Sequence, residues 1–255
     1  MSATGLRRTR SQITDLWDST VGKKIIVAVT GSILLLYVIL HMLGNLNSLF
    51  GNGAGDARVD WYAHWLRDFG EPLIPHEGIL WAVRAVLLAA LIVHIVGIVQ
   101  LTRRNRAARP EHFPARRIGR SLSSRTMMVT GTLLLAFIIF HILQFTTLTI
   151  DVTPLKEGDV YANLYNAFQE WYFVAIYVAA VIFLAFHLRH GIWSLTQTLG
   201  WDSPSRNRPI RYTATGLSIL LAVGFAAVPI LFFTDVLDAP VESTALITTF
   251  ISGAI

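Results

Sequence analysis

The chain has 255 residues, 53% of them apolar and only 15% charged, with a formal net charge of +5. Those proportions exclude an ordinary soluble domain and point to a protein that spans a membrane. Cysteine is absent, which excludes disulfides, thiolate metal sites, cysteine-bound iron–sulfur clusters and a covalent CxxCH haem attachment.

Residues 1–23 carry Arg7, Arg8, Arg10 and Lys23, with Ile13, Leu16 and Trp17 between them. This pattern predicts a short amphipathic helix lying on the membrane surface. The apolar run that follows is long enough to span and shows no small-residue cleavage site, so a signal peptide is not expected. Five spans are predicted, over residues 24–49, 76–101, 126–149, 170–198 and 212–236, each able to cross a hydrocarbon core about 30 Å thick. After span I, GNGAGD reads as a flexible turn, and Trp61, Tyr62 and Trp65 suit an interfacial aromatic belt. The segment YANLYNAFQEWY leads into span IV, WDSPSRNRPIR reads as a polar loop broken by proline, and Pro229 is expected to kink span V. The fold class is therefore all-α, an integral membrane bundle of five transmembrane helices. Residues 1–23 form its surface segment, 24–236 a single domain and 237–255 a tail.

Charge sets the orientation. The N-terminus and the loops 102–125 and 201–211 hold nearly all the Lys and Arg, whereas 50–75 and 150–170 are net acidic. The positive-inside rule puts the N-terminus in the cytoplasm and the C-terminus outside. The basic loops are explained by this orientation, so no nucleic-acid partner is expected.

One stretch occurs twice. VTGSILLLYVILHML, residues 29–43, returns as VTGTLLLAFIIFHIL, residues 129–143. Each copy is apolar and ends near a histidine, His41 or His141, and an ionisable residue inside a span is a functional-site hypothesis by default. Two further histidines, His94 and His187, lie within spans II and IV. Helix rise puts His41 and His141 roughly 25 and 24 Å from the cytoplasmic edge, and His94 and His187 roughly 13 and 15 Å from it. Four histidines thus fall at two depths, two at each. Paired neutral imidazoles at one level are what bis-histidine ligation of haem iron needs. Zinc or copper would want a third or fourth ligand close by. The levels differ by on the order of 10 Å, which brings two macrocycles near edge contact. Histidines that only hydrogen-bond between helices or line a proton path are the competing reading, and the sorting into two levels outweighs it. Gly31 and Gly131 either leave room for a macrocycle or serve close helix packing.

Other residues are candidates by position. His190 lies three residues after His187, near the same helix face; His187 is closer in depth to His94. Arg189 and His190 are read as contacts to haem propionates or to a cytoplasmic partner. Arg84 either snorkels to the interface or meets an outer-haem propionate or a quinone carbonyl. Gln144, Trp61, His64 and Trp65 are quinone-site candidates, although an interfacial helix alone would explain the two tryptophans. His76 and His112 read as solvated loop residues.

At these residues a family resemblance emerges. GKKIIVAVTGSILLLYVILHMLGNL, LIVHIVGIVQLTRRNR, VTGTLLLAFIIFHILQF and FHLRHGIWSLTQTLGW together resemble the cytochrome b membrane anchor of succinate dehydrogenases and fumarate reductases, in its single-subunit, five-span, two-haem class. The resemblance implies two b haems, an outer one on His41 and His141 and an inner one on His94 and His187. It further implies menaquinone as substrate, a multi-pass place in the bacterial cytoplasmic membrane, and flavoprotein and iron–sulfur subunits docked on the cytoplasmic face. In that family electrons pass from succinate through flavin, iron–sulfur clusters and the inner and outer haems to the quinone. The chain itself carries no flavin motif and no dicarboxylate site, so it would supply only the quinone end. One departure is visible: some dihaem fumarate reductases carry a glutamate two residues before the fourth ligand, where this chain has Ala185. That favours succinate oxidation. The remaining alternatives are the cytochrome b anchor of another respiratory dehydrogenase, a non-redox transporter with a histidine proton or metal path, and a structural anchor with vestigial haems. A higher oligomer stays open.

Overall fold

The computed structural model describes residues 17–51, 57–108, 122–150, 153 and 155–241, with 122–125 as backbone only. The segment 1–16, the turn at 52–56, His112 and the tail beyond 241 lie outside the described residues.

Five long helices carry the chain across a membrane by length and composition. The first, α1, is Thr20–Asn45, started by Ser19, whose hydroxyl accepts from the Gly22 N–H at 2.8 Å. It tightens into a 3-10 turn at Leu46–Phe50 and stops at Gly51, which takes a φ of 73°. Then come α2 (Arg58–Asp68), α3 (Gly78–Ala107) and α4 (Leu122–Phe145). They are followed by α5 (Val160–Phe168), α6 (Trp171–Thr198) and α7 (Asn207–Phe233). The β-branched and aromatic runs stay helical because a bilayer offers the backbone no other partner for its N–H and C=O groups. Val29, Leu36, Leu88, Val129 and Leu220 are each more than half exposed. In water such a surface would be a liability, and in lipid it is the expected outer face.

Three boundaries differ from the sequence reading. Helix α3 runs past Arg103 and Arg104 to Ala107, because cations in a last turn complement the carbonyl end of the helix dipole. Helix α7 begins inside the segment read as a proline-broken loop, since Pro209 sits in its first turn, where a missing N–H costs nothing. Pro229 lies within α7, which continues through it. Within YANLYNAFQEWY, residues 161–168 belong to the separate helix α5, and only Trp171 and Tyr172 belong to α6. Asp159 caps α5, accepting from the Ala162 N–H at 3.1 Å, and Glu170 turns extended before α6.

The most extensive helix contact is α6 with α7, followed by α1 with α3 and α4 with α6; α1 also meets α6. The pairs α1–α4 and α3–α4 do not pack closely among the described residues. One end of the bundle is basic. There Lys23 is buried, with Nζ donating to Gln100 Oε1 and standing 4.1 Å over the Trp17 ring, while Arg104 donates to the Asp18 carbonyl. The other end is capped by α2 and α5. Tyr161, Leu164, Ala167 and Phe168 of α5 pack with Val59, Phe173, Tyr177, Val228 and Phe232, and each large side chain so buried contributes about 1.5–3 kcal/mol. Asp60 of α2 ties the cap together, its Oδ1 accepting from the Val160 and Tyr161 N–H groups at 2.6 and 3.0 Å. It caps α5 from a different element.

Candidate functional site

At the capped-end level His41 of α1 faces His141 of α4, with ring centroids 5.8 Å apart and planes crossed by 77°. His41 stacks on Tyr37, one turn earlier, at 5.3 Å and is flanked by Phe225 of α7 at 5.9 Å. His141 lies between Phe137 and Phe145, at 5.9 and 5.8 Å. Its Nδ1 stands 3.0 Å from the hydroxyl of Tyr177 on α6, and that hydroxyl donates to Gln144 Oε1 at 2.9 Å. A phenol has one proton to give. With that O–H donated to Gln144, the phenol oxygen accepts from His141 Nδ1–H, and the lone pair is left on Nε2.

The basic-end level is built differently. His94 of α3 points Nδ1 at the Val27 carbonyl, 3.2 Å away. A carbonyl only accepts, so Nδ1 carries the proton and Nε2 the lone pair. Thr30 Oγ1 stands 3.3 Å from the same nitrogen and donates to the Ile26 carbonyl at 2.8 Å. On the other side of the bundle Thr130 Oγ1 donates to the Thr126 and Met127 carbonyls, both at 3.1 Å, and lies 3.5 Å from His187 Nδ1. His94 and His187 are within electrostatic reach of one another. The glycines complete the arrangement. A Cβ on Gly31 would stand 3.2 Å from His94 Cε1, and one on Gly131 would stand 3.3 Å from His187 Cε1. In each copy of the repeat, then, Thr-Gly seats a histidine of the next span, and the repeat's own histidine faces its counterpart.

The spacing of His41 and His141 suits a bis-histidine haem. Two imidazoles on opposite sides of one metal at about 2.0–2.1 Å each put their centroids roughly 6 Å apart, close to the separation of His41 and His141. Hydrogen bonding at Nδ1 reserves Nε2 as the donor atom on His94 and His141. Around His41 and His141 the rings of Phe137, Phe145 and Phe225 are apolar, and α1 and α4 do not pack closely among the described residues.

The remaining candidates are spread over both ends. His190 is half-buried and lies near His187. Arg189 is exposed on α6 and donates from Nε to Thr215 Oγ1 of α7 at 3.0 Å. Arg84 lies 4.7 Å over the Trp81 ring and within electrostatic reach of Tyr37, so it belongs to the capped-end level. Trp61, His64 and Trp65 share one exposed face of α2, whereas Tyr62 turns inward against Gly44, where a Cβ would come within 2.8 Å of its ring. Gln144 is buried beneath Tyr177. His76 is exposed and paired with Asp68 and Glu71, each at 3.2 Å. Sequence reasoning missed Thr30, Thr130 and Tyr177. The two threonines stand in the repeated VTG and were there to be read; nothing local marks Tyr177.

The model of the succinate dehydrogenase/fumarate reductase transmembrane subunit matches residues 102–232, just over half of the chain, including His141, Tyr177 and His187. No curated protein and no solved structure matches it. The chain belongs to the succinate dehydrogenase/fumarate reductase transmembrane-subunit family.

Proposed function

We propose that the chain is the dihaem, quinone-reacting anchor of a succinate:menaquinone oxidoreductase, with its basic end cytoplasmic. As a membrane subunit of this family it works within an enzyme complex alongside flavoprotein and iron–sulfur subunits. The observation that carries the finer reading is the pairing of imidazoles at two levels, with His41 and His141 centroids 5.8 Å apart. His41 and His141 would hold one b haem, and His94 and His187 the other. Bound there, the two groups supply a one-electron relay from the iron–sulfur subunit to the quinone.

The protein's own part is to present and insulate. The Val27 carbonyl, Thr30, Thr130 and Tyr177 orient the rings and reserve Nε2; the Phe137, Phe145 and Phe225 rings keep water from the capped-end pair. Arg84 is a cation on the capped-end level, suited to a carboxylate or a quinone oxygen. Trp61, His64 and Trp65 lie on the exposed face of α2, where a quinone headgroup would arrive from the lipid. None of the helices α1, α3, α4, α6 and α7 contains a carboxylate, and Ala185 stands where a proton-carrying glutamate would be. That supports succinate oxidation without a transmembrane proton path along α6.

The test is anaerobic addition of succinate to the purified complex. The reading predicts reduction of part of the b-type absorbance and of a menaquinone analogue; in His41→Ala the quinone reduction is lost while the haem on His94 and His187 still takes up electrons. Quinone reduction at the wild-type rate in His41→Ala would contradict it.

A further inference from the structure

We propose that Tyr177 is a positioning residue that sets the reduction potential of the capped-end haem apart from that of its neighbour. The proposal rests on the dihaem reading above.

The hydroxyl of Tyr177 stands between two fixed partners, His141 Nδ1 at 3.0 Å and Gln144 Oε1 at 2.9 Å. Neither end can drift. The phenol ring is held edge-on by Phe137 at 4.9 Å and Phe168 at 5.1 Å, and Gln144 is 1% exposed. Because the phenol donates its O–H to the amide oxygen, the phenol oxygen is left as an acceptor for the imidazole. An acceptor at Nδ1–H lets the ring donate more electron density through Nε2, which favours the oxidised metal and lowers its potential.

The four histidines are not backed alike. His94 faces a carbonyl at 3.2 Å, and His187 a threonine hydroxyl at 3.5 Å. Among the described residues no hydrogen-bond partner is recorded for His41. Within the capped-end pair, Tyr177 therefore supplies the whole of this effect, and it touches neither His94 nor His187. Tyr177 also bridges α6 to α4, so the tuning group comes from the helix that carries a ligand of the other level.

The experiment is potentiometric titration of the intact complex carrying Tyr177→Phe, which removes one oxygen and keeps the ring. The expected result is two haems per chain, one midpoint shifted upward and the other unchanged. Two haems with both midpoints unchanged would overturn the proposal while leaving the dihaem reading intact; two midpoints moving together would overturn it as well, by showing a general loosening of the fold. Absence of haem from the unaltered complex would instead remove the dihaem reading. Gln144→Leu is the second variant, for the case in which Tyr177→Phe does not assemble. Deprived of its acceptor, the phenol is no longer polarised by Gln144 and accepts more weakly from the imidazole N–H, so the same midpoint moves upward, by less than in Tyr177→Phe. No shift in that variant also overturns the proposal.

Discussion

Valine in place of Gly31 gives the sharpest perturbation of the histidine seats. A Cβ there would lie 3.2 Å from His94 Cε1 and 3.5 Å from its Nδ1. Ordinary carbon contacts lie at about 3.5–4.0 Å, so the imidazole has to retreat by roughly 0.3–0.8 Å before the γ-methyl groups are counted. A functional site tolerates about 0.5 Å of misplacement. The same retreat stretches the bond from His94 Nδ1 to the Val27 carbonyl, already 3.2 Å, towards the length at which it ceases to be a hydrogen bond. Overpacking costs about 1–3 kcal/mol, and replacing a helix glycine returns up to about 1 kcal/mol, so the bundle survives while the site does not. The assay is a pyridine haemochrome count on the purified complex. Gly31→Val should leave one b haem per chain, the one on His41 and His141; Gly31→Ala, with a smaller clash, should keep both and disturb only the basic-end haem. Two haems with unshifted midpoints in Gly31→Val would refute the reasoning, and so would loss of the capped-end haem.

Three further outcomes follow from the structure. His187→Ala should remove the basic-end haem while His190→Ala keeps both, because Thr130 and Gly131 seat His187; a haem count that reverses the two would show the wrong ligand has been chosen. Asp60→Ala strips two N–H groups at the start of α5 of their acceptor, at a cost of about 1–2 kcal/mol, whereas Asp60→Asn keeps an oxygen there. The alanine variant should therefore have the lower Tm and the faster proteolysis of the cap; equal Tm values would dismiss the trans cap. Finally, the Tyr161 phenol donates to the Asp238 carbonyl at 2.9 Å, and burial first, then Asp238, Tyr165 and Asp60, push it above the ordinary tyrosine value. The folded chain keeps this proton where the unfolded chain has lost it. Its contribution is complete below about pH 10 and declines as pH rises beyond that. Tyr165 is pushed up too, by burial and then Asp235, so Tyr161→Phe should flatten the alkaline loss of Tm without abolishing it, and an unchanged slope would argue against the assignment.

Hydropathy made the five spans legible because a bilayer imposes length and apolarity on each crossing independently of its neighbours. Helix rise then made the depth of each histidine legible. Lateral packing was not. Nothing in the sequence around Trp171 to Thr198 says that Tyr177 turns towards α4, since that depends on the rotation of two helices about their axes. The Thr-Gly steps could have been connected to His94 and His187 only by knowing that α1 packs on α3 and α4 on α6. At Gly31 and Gly131 the close helix packing that was one of the two expectations takes a specific form: each glycine makes room for an imidazole ring of the neighbouring helix. The helix α5 was hidden for another reason. Its aromatic run is apolar enough to merge with span IV, and the break depends on Asp159, Asp60 and the extended Glu170. Pro209 misled in the opposite sense, because proline opens a helix as readily as it ends one.

The central claim is that this chain holds two b haems, one at each histidine level. The direct measurement is the haem count, with reduced-minus-oxidised spectra, of the complex carrying the unaltered chain, His41→Ala or His187→Ala. The account predicts two haems, then one and one, with the two survivors differing in midpoint potential. No b-type absorbance in the unaltered complex, or the same haem surviving in both variants, would contradict it.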